Sequence, residues 1–394
     1  MYKISTDVIN LGNHLLNKRT GDLYELTVEG KNIILSLPTR EENEHELFTQ
    51  MLAEGVIVDS AKHLDKDTFH VQWHLLNSCN LQCTHCYDWK EKVRMLTYEQ
   101  MLDVVDRYVL FLKQMGAEGE LSLTGGEPLL FRQLIPLMEY IKSRDVYISL
   151  YVLTNGTIIN NEFIEAAKKY SNGIQISIDG KEKEHDAIRG QGSFKKSFKT
   201  IKILQENGIN PAIHYVLMKK NKNAVIEFID QMRSAGIATI HFSNLIPIGP
   251  GQTETMLTPK ENKEVLELIA EKQKETDMSL MAHRPTWCLV GSDGFCPVGF
   301  KTLTINAAGK YMACRRMDIE IGDARRDSFF KVWFDTELLN KMRDRRTNIP
   351  VCGTCEYAEK CGGCRALAYA VFNDPFAPDP SCWIHNQNNN QFKV

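Results

Sequence analysis

Three thiols lie within eight residues in the run Cys79-Asn80-Leu81-Gln82-Cys83-Thr84-His85-Cys86-Tyr87. No further cysteine follows before Cys288. A loop with three thiolates and no fourth suits an iron–sulfur cluster that leaves one iron open to another ligand. Zinc is the competing occupant. It closes with four ligands and usually draws on C-x2-C pairs, and His85 is the one extra candidate inside the loop.

A second motif, Thr124-Gly125-Gly126-Glu127-Pro128, combines two glycines with a carboxylate. Glycines let a backbone approach a ligand closely. A carboxylate behind them can receive an ammonium group by a charge-assisted hydrogen bond. Further polar groups, Asn155, Ser177 and Asp179, follow apolar runs, and Arg189 lies just beyond in AIRGQGSF. The plain alternative for each is a polar loop residue, and His185 and Asp186 read as caps of the helix that follows.

The remaining eight cysteines all lie after residue 287, as Cys288-x7-Cys296-x12-Gly309-x4-Cys314 and Cys352-x2-Cys355-x5-Cys361-x2-Cys364-x17-Cys382. Eight thiolates match two four-cysteine clusters, and two zinc sites fit the same count. The total of eleven is odd, and the N-terminus lacks a basic start and apolar stretch. A disulfide framework is therefore disfavoured, and a cytoplasmic location is expected.

The elements that must carry these residues follow a strand–helix rhythm. From Phe69 the expected strands are VQWHLL, ELSLTG, YISLYVLT, GIQISID, AIHYVLM and TIHFSNLI. Helical stretches are expected over 97–115, 133–143, 160–170, 194–207 and 222–235. Near-continuous apolar strands point to parallel pairing covered on both faces, and alternation implies right-handed βαβ units. Six units are fewer than a closed barrel's eight, and periodicity does not separate an open sheet from an incomplete barrel. The motifs fall at strand ends, where barrel sites form. The expected division is a small α+β unit over 1–66, a partial barrel over 67–251, a helical bridge over 252–285 and a cysteine-rich extension over 286–394. The first unit reads as two strands around Thr20-Gly21-Asp22, then a helix and a strand separated at Gly55. Little periodicity marks Trp287 to Trp383, which reads as held by metal more than by a core.

A net charge of −3 marks no nucleic-acid binder. No apolar run approaches the ~20 residues of a membrane span.

The C-x3-C-x2-C loop after the first strand resembles the signature of the radical S-adenosylmethionine superfamily. The resemblance implies an α/β fold built on a partial (β/α)6 TIM-like barrel. It also implies a 4Fe–4S cluster on Cys79, Cys83 and Cys86, whose open iron binds S-adenosylmethionine and whose electron generates a 5′-deoxyadenosyl radical. By the same resemblance Tyr87 lies against the adenine and Gly125, Gly126 and Glu127 hold the amino group. Ser177 and Arg189 contact the ribose and carboxylate, with Asn155 beside them.

The later cysteines resemble the SPASM extension of radical enzymes that modify peptides and proteins. That implies two auxiliary 4Fe–4S clusters, on Cys288, Cys296, Cys314 and Cys364 and on Cys352, Cys355, Cys361 and Cys382, three clusters in all. Many members have three residues between the cysteines at Cys361 and Cys364. Here there are two, both glycine, as in maturases of pyrroloquinoline quinone and mycofactocin precursors.

The leading expectation is a maturase of a ribosomally made peptide, acting by hydrogen abstraction followed by oxidation or crosslinking. Its expected partners are a precursor peptide and an electron donor such as flavodoxin or ferredoxin, and residues 1–66 would capture a leader segment by strand addition or brace the barrel. A sulfatase-maturating enzyme would carry an acidic residue after Cys314, where this chain has Arg315 and Arg316. A tetrapyrrole-modifying enzyme would use those arginines on propionates. An electron carrier or cluster scaffold would explain the thiols but not the strand-end motifs.

Overall fold

The computed structural model describes residues 2–5, 8–17, 21–36, 46–54, 56–59, 68–87, 93–292 and 294–385. Gly55, the run His63–Asp67 and the tail after residue 385 lie outside them.

The chain opens with β1 (Tyr2–Ile4), β2 (Val8–Asn10), β3 (His14–Asn17), β4 (Leu23–Glu25), α1 (Val28–Ser36), α2 (Glu46–Ala53) and β5 (Ile57–Asp59). β2, β3 and β4 form an antiparallel sheet with β4 at its edge, and β1 pairs with β5. Val8, Leu15, Leu26, Ile33, Ile34, Phe48 and Ile57 form a core of their own, while Ile9 packs into the main core. The expected hairpin and helix–strand pair are present. β1, β2 and α1 carry too short a pattern to be read from sequence.

Then follow β6 (Thr68–His74), α3 (Tyr98–Met115), β7 (Glu118–Thr124), α4 (Leu134–Lys142), β8 (Ile148–Thr154), α5 (Asn161–Tyr170), β9 (Gly173–Ser177), α6 (Glu182–Arg189), α7 (Ser193–Glu206), β10 (Ala212–Leu217), α8 (Val225–Ser234), β11 (Thr239–Asn244), α9 (Pro259–Glu275) and β12 (Ser279–Met281). The strands from β6 to β12 pair in parallel, each with the next. α3 shows why such helices begin and end where they do. Thr97 and Gln100 form a capping box, and Gly116 closes the helix in the left-handed region. His185 and Asp186 lie within α6 and do not precede it. Asp186 still caps the next helix, accepting from Gly192 N at 2.7 Å and Phe194 N at 2.9 Å.

The strands are not apolar on both faces. In β9, β10 and β11 the helix-facing residues Ile174, Ile176, Ile213, Tyr215, Ile240 and Phe242 are buried. Their neighbours Gln175, Ser177, His214 and Ser243 instead line a cavity inside the curve of the sheet. Period-two alternation, helices outside and polar groups inside, is what a hollow partial barrel requires.

The C-terminal region also departs from expectation. β13 (Thr302–Ile305) pairs in parallel with β6, and β14 (Lys310–Cys314) and β15 (Met317–Asp323) extend the same sheet antiparallel. The result is one ten-stranded sheet with edges at β12 and β15. Leu303, Ile305, Tyr311, Phe329, Trp333, Leu339 and Leu367 join the main core. Hydrophobic packing, and not metal alone, holds this region on the barrel. Its periodicity is hidden because the strands and helices are short.

Candidate active site

The loop after β6 and the loop after β7 are zipped together. Leu75 N donates to Thr124 O at 2.9 Å, Gly126 N to Leu76 O at 2.7 Å and Glu127 N to Ser78 O at 2.9 Å. A Cβ on Gly126 would lie 2.2 Å from Ser78 O, and one on Gly125 2.4 Å from Leu76 O. Both glycines are therefore demanded by the neighbouring loop, while their backbone still forms part of the cavity wall. Thr84 N donates to Ile188 O at 2.9 Å and ties the thiol loop to α6.

The cavity encloses about 530 Å³. Cys79, Cys83 and Cys86 line it, together with Tyr87, Gly125, Gly126, Asn155, Ser177 and Arg189. Asn155 Nδ2 donates to Asn80 Oδ1 at 2.9 Å and approaches the Cys79 sulfur at 3.9 Å. Burial pushes the Cys79 and Cys83 thiols up, against a backbone N–H from Leu81 at Cys79 and the Arg189 charge at Cys83. Thiols so disposed become ligands when a metal's charge replaces the proton.

Glu127 departs from the role expected for it. It is 0% exposed and does not line the cavity. Its carboxylate accepts from Thr154 Oγ1 at 2.6 Å, Asn155 N at 2.8 Å and Leu129 N at 3.1 Å. Burial raises its pKa against these bonds. The carboxylate ties the end of β8 to the loop after β7, and the backbone of Gly125 and Gly126 is what this motif presents to the cavity.

A group that sequence reasoning treated as ordinary lies behind the thiols. Asp179, fully buried, receives Arg189 Nε at 2.6 Å, His85 Nε2 at 3.0 Å and Val216 N at 2.8 Å. Burial pushes Asp179 up, but Arg189 and His85 outweigh it and hold the carboxyl well below its usual range. Arg189 Nη1 lies 4.0 Å from the Cys83 sulfur. His85 thus faces Asp179 through Nε2, while its buried Nδ1 has no hydrogen-bond partner among the described residues.

None of the eleven cysteines is joined in a disulfide. Cys352, Cys355, Cys361 and Cys382 line one small cavity of about 20 Å³. Cys296, Cys314 and Cys364 gather around the Arg316 guanidinium. Cys288 hydrogen-bonds with Cys361, so its thiol lies against the first of these groups. Arg345 bridges the two groups, donating to Cys296 O at 3.2 Å, Ala358 O at 3.2 Å and Glu359 O at 3.1 Å. Asp379 accepts from Cys364 N at 2.6 Å and lines the small cavity as well. Among the described residues no three His, Cys, Asp or Glu side chains could hold a single metal ion. A cluster, with one thiolate on each iron, needs a wider set.

Arg315 and Arg316, from the turn between β14 and β15, also line the main cavity. So do Gln72, Gln175, His214 and Ser243. Only strand alternation could have flagged these four.

This fold and this thiol-lined cavity define a radical SAM enzyme. The model of the radical SAM superfamily matches residues 73–223, and that of the SPASM iron–sulfur cluster-binding domain matches residues 296–356. The chain is therefore a radical SAM enzyme with a SPASM domain, and iron–sulfur clusters and S-adenosylmethionine are the cofactors these domains imply. The chain is 26% identical over 348 residues to an AdoMet-dependent heme synthase of Methanosarcina barkeri, covering 79% of this chain and 95% of that protein. It is 27% identical over 332 residues to the mycofactocin maturase of Mycolicibacterium smegmatis, covering 79% and 81%. The structure of Streptococcus suis SuiB bound to precursor peptide SuiA matches with a TM-score of 0.66 at 17% identity, covering 97% of this chain and 100% of SuiB. Among the described residues no helix is long and apolar enough to cross a membrane.

Proposed function

We propose that the protein is a maturase that oxidises or crosslinks a ribosomally made peptide after hydrogen abstraction. The observation that carries this reading is the fold likeness to SuiB along nearly the whole chain, which extends beyond the barrel and SPASM region. The small N-terminal sheet ends on β4, which has no strand partner on its outer side among the described residues. Leu23 on that edge is 59% exposed. An extended leader segment could add there as a further strand.

In this reading Cys79, Cys83 and Cys86 hold the first of three 4Fe–4S clusters. Bound S-adenosylmethionine supplies a 5′-deoxyadenosyl radical for hydrogen abstraction. The backbone of Gly125 and Gly126, with Asn155, Ser177 and Tyr87, orients the cofactor, and Arg189 keeps positive charge beside Cys83. Glu127 and Asp179 position these groups from behind. The eight later thiols hold two auxiliary clusters, and a flavodoxin or ferredoxin supplies electrons.

Co-expression with a short open reading frame beside the gene, followed by mass spectrometry, tests this. Loss of hydrogen mass from that peptide is the expected result. An unmodified peptide, together with conversion of an added iron coproporphyrin, would favour the second reading, tetrapyrrole modification. That reading draws on the heme synthase relatives and on Arg315 and Arg316 in the cavity.

A further inference from the structure

The main cavity gathers positive side chains. Three arginines line it, Arg189, Arg315 and Arg316, and among the described residues no aspartate or glutamate does. Arg189 is neutralised from behind by Asp179. Arg316 faces the Cys296, Cys314 and Cys364 thiols. Arg315 has no carboxylate partner among the described residues; Tyr87 and Cys314 favour its charge, and Arg316 and Arg284 oppose it.

Arg315 is nevertheless held in place. Its Nη1 donates to Gln72 Oε1 at 2.5 Å, which leaves other guanidinium N–H groups for an incoming acceptor. The neighbouring charges of Arg316 and Arg284 are positive as well. Burial, reinforced by the Arg315 charge, holds His214 well below its usual pKa, and Gln175, Ser177 and Ser243 carry no charge. A guanidinium in a half-buried wall, with no carboxylate partner among the described residues, is costly unless an anion completes it. Its planar fork matches a carboxylate.

We propose that Arg315 is the receiving group for a carboxylate on the peptide substrate, so that an aspartate or glutamate side chain enters the cavity beside the residue to be modified. Arg316 lends its charge to the same corner, held by its bond to Asn244 O at 3.2 Å. This assignment rests on the peptide reading above, and makes acidic peptides the substrate class.

The test uses reconstituted full-length protein, saturated with S-adenosylmethionine, and isothermal titration with blocked glycine pentapeptides. Their central residue is glutamate, glutamine or lysine, and iron coproporphyrin III is titrated in parallel. The glutamate peptide is expected to bind about tenfold or more tightly than the glutamine peptide, and the lysine peptide more weakly still. Arg315→Gln should erase the difference between glutamate and glutamine at unchanged iron content. Arg315→Lys should retain part of it, which separates loss of charge from loss of fold. Equal binding of the glutamate and glutamine peptides would overturn the carboxylate subsite and leave the peptide reading standing. Binding of the porphyrin alone, weakened by Arg315→Gln, would overturn both. If Arg315→Gln instead weakens S-adenosylmethionine binding, or shifts only the cluster spectra, Arg315 serves the cofactors and the proposal fails.

Discussion

Cys79, Cys83 and Cys86 stand on a loop at the wall of a cavity of about 530 Å³, whereas Cys352, Cys355, Cys361 and Cys382 surround about 20 Å³. The first group shares its space with polar side chains from successive strands, among them Gln72, Thr124, Asn155, Ser177, His214 and Ser243. The second is enclosed by its own loops, by Asp379 and by Arg365, whose Nη2 lies 3.6 Å from the Cys352 sulfur. One site leaves open space large enough for a cofactor and a substrate, and the other is closed down to a cleft too small for either. Thiol count alone does not reveal this, because it depends on which elements surround the loop.

The largest expected effect tests the open side. Changing Cys79, Cys83 and Cys86 together to alanine should remove about four iron per chain and abolish cofactor cleavage while leaving the auxiliary spectra in place. Retained cleavage would end the distinction.

Cys382→Ala tests the closed side. It should loosen the segment from Val351 to Cys382, since metal binding and local folding are coupled there, and reduce peptide modification. Cofactor cleavage with an artificial reductant should survive better than product formation. The contact between Cys288 and Cys361 sharpens the matter: cluster-resolved spectroscopy of Cys288→Ala and Cys364→Ala should show damage to the same cluster. Damage to different clusters would show that Cys288 belongs with the group around Cys361.

Acid should separate the two regions less sharply. Burial lowers His70 to about 3 and His185 and His241 to about 4, and holds His214 and His283 well below their usual value. These histidines are neutral when folded and take up protons when unfolded below about pH 6.5. Stability should therefore be level above pH 7 and fall as pH drops from 6.5 towards 4, by roughly 1.4 kcal/mol per unit for each histidine. Four of the five lie on β6, α6, β10 and β11, so hydrogen exchange at pH 5.5 should report loosening of the barrel. A melting temperature independent of pH between 7 and 5 would contradict the buried neutral histidines.

The smallest effect concerns Glu127. Glu127→Gln should leave iron content unchanged and lower stability by about 1–3 kcal/mol, because one of its three buried donors loses an acceptor. Cofactor affinity should fall only as far as the end of β8 shifts. A large loss of affinity with full thermal stability would return the carboxylate to direct contact.

The thiol loop, the glycine pair and the strand-end positions of Asn155 and Ser177 were legible because each motif is local and sits where an apolar run stops. The ion pair of Asp179 with Arg189 was half legible, since α6 brings together residues ten apart. What escaped was non-local. Arg315 meets Gln72 across 243 residues, and His70 meets Thr302 across 232. No periodicity records such partners, and three short strands in a cysteine-rich stretch look like turns until β6 offers them an edge.

That edge has a consequence for how the protein is made. β6 pairs with β7 soon after synthesis, but its other side waits for Thr302–Ile305. At roughly 5–20 residues per second, the ribosome leaves this flank open for about ten to fifty seconds. Throughout that interval the nascent chain presents unpaired backbone at the strand that leads into its thiol loop. A chain terminated before residue 302 should therefore be insoluble, however well the barrel helices have formed.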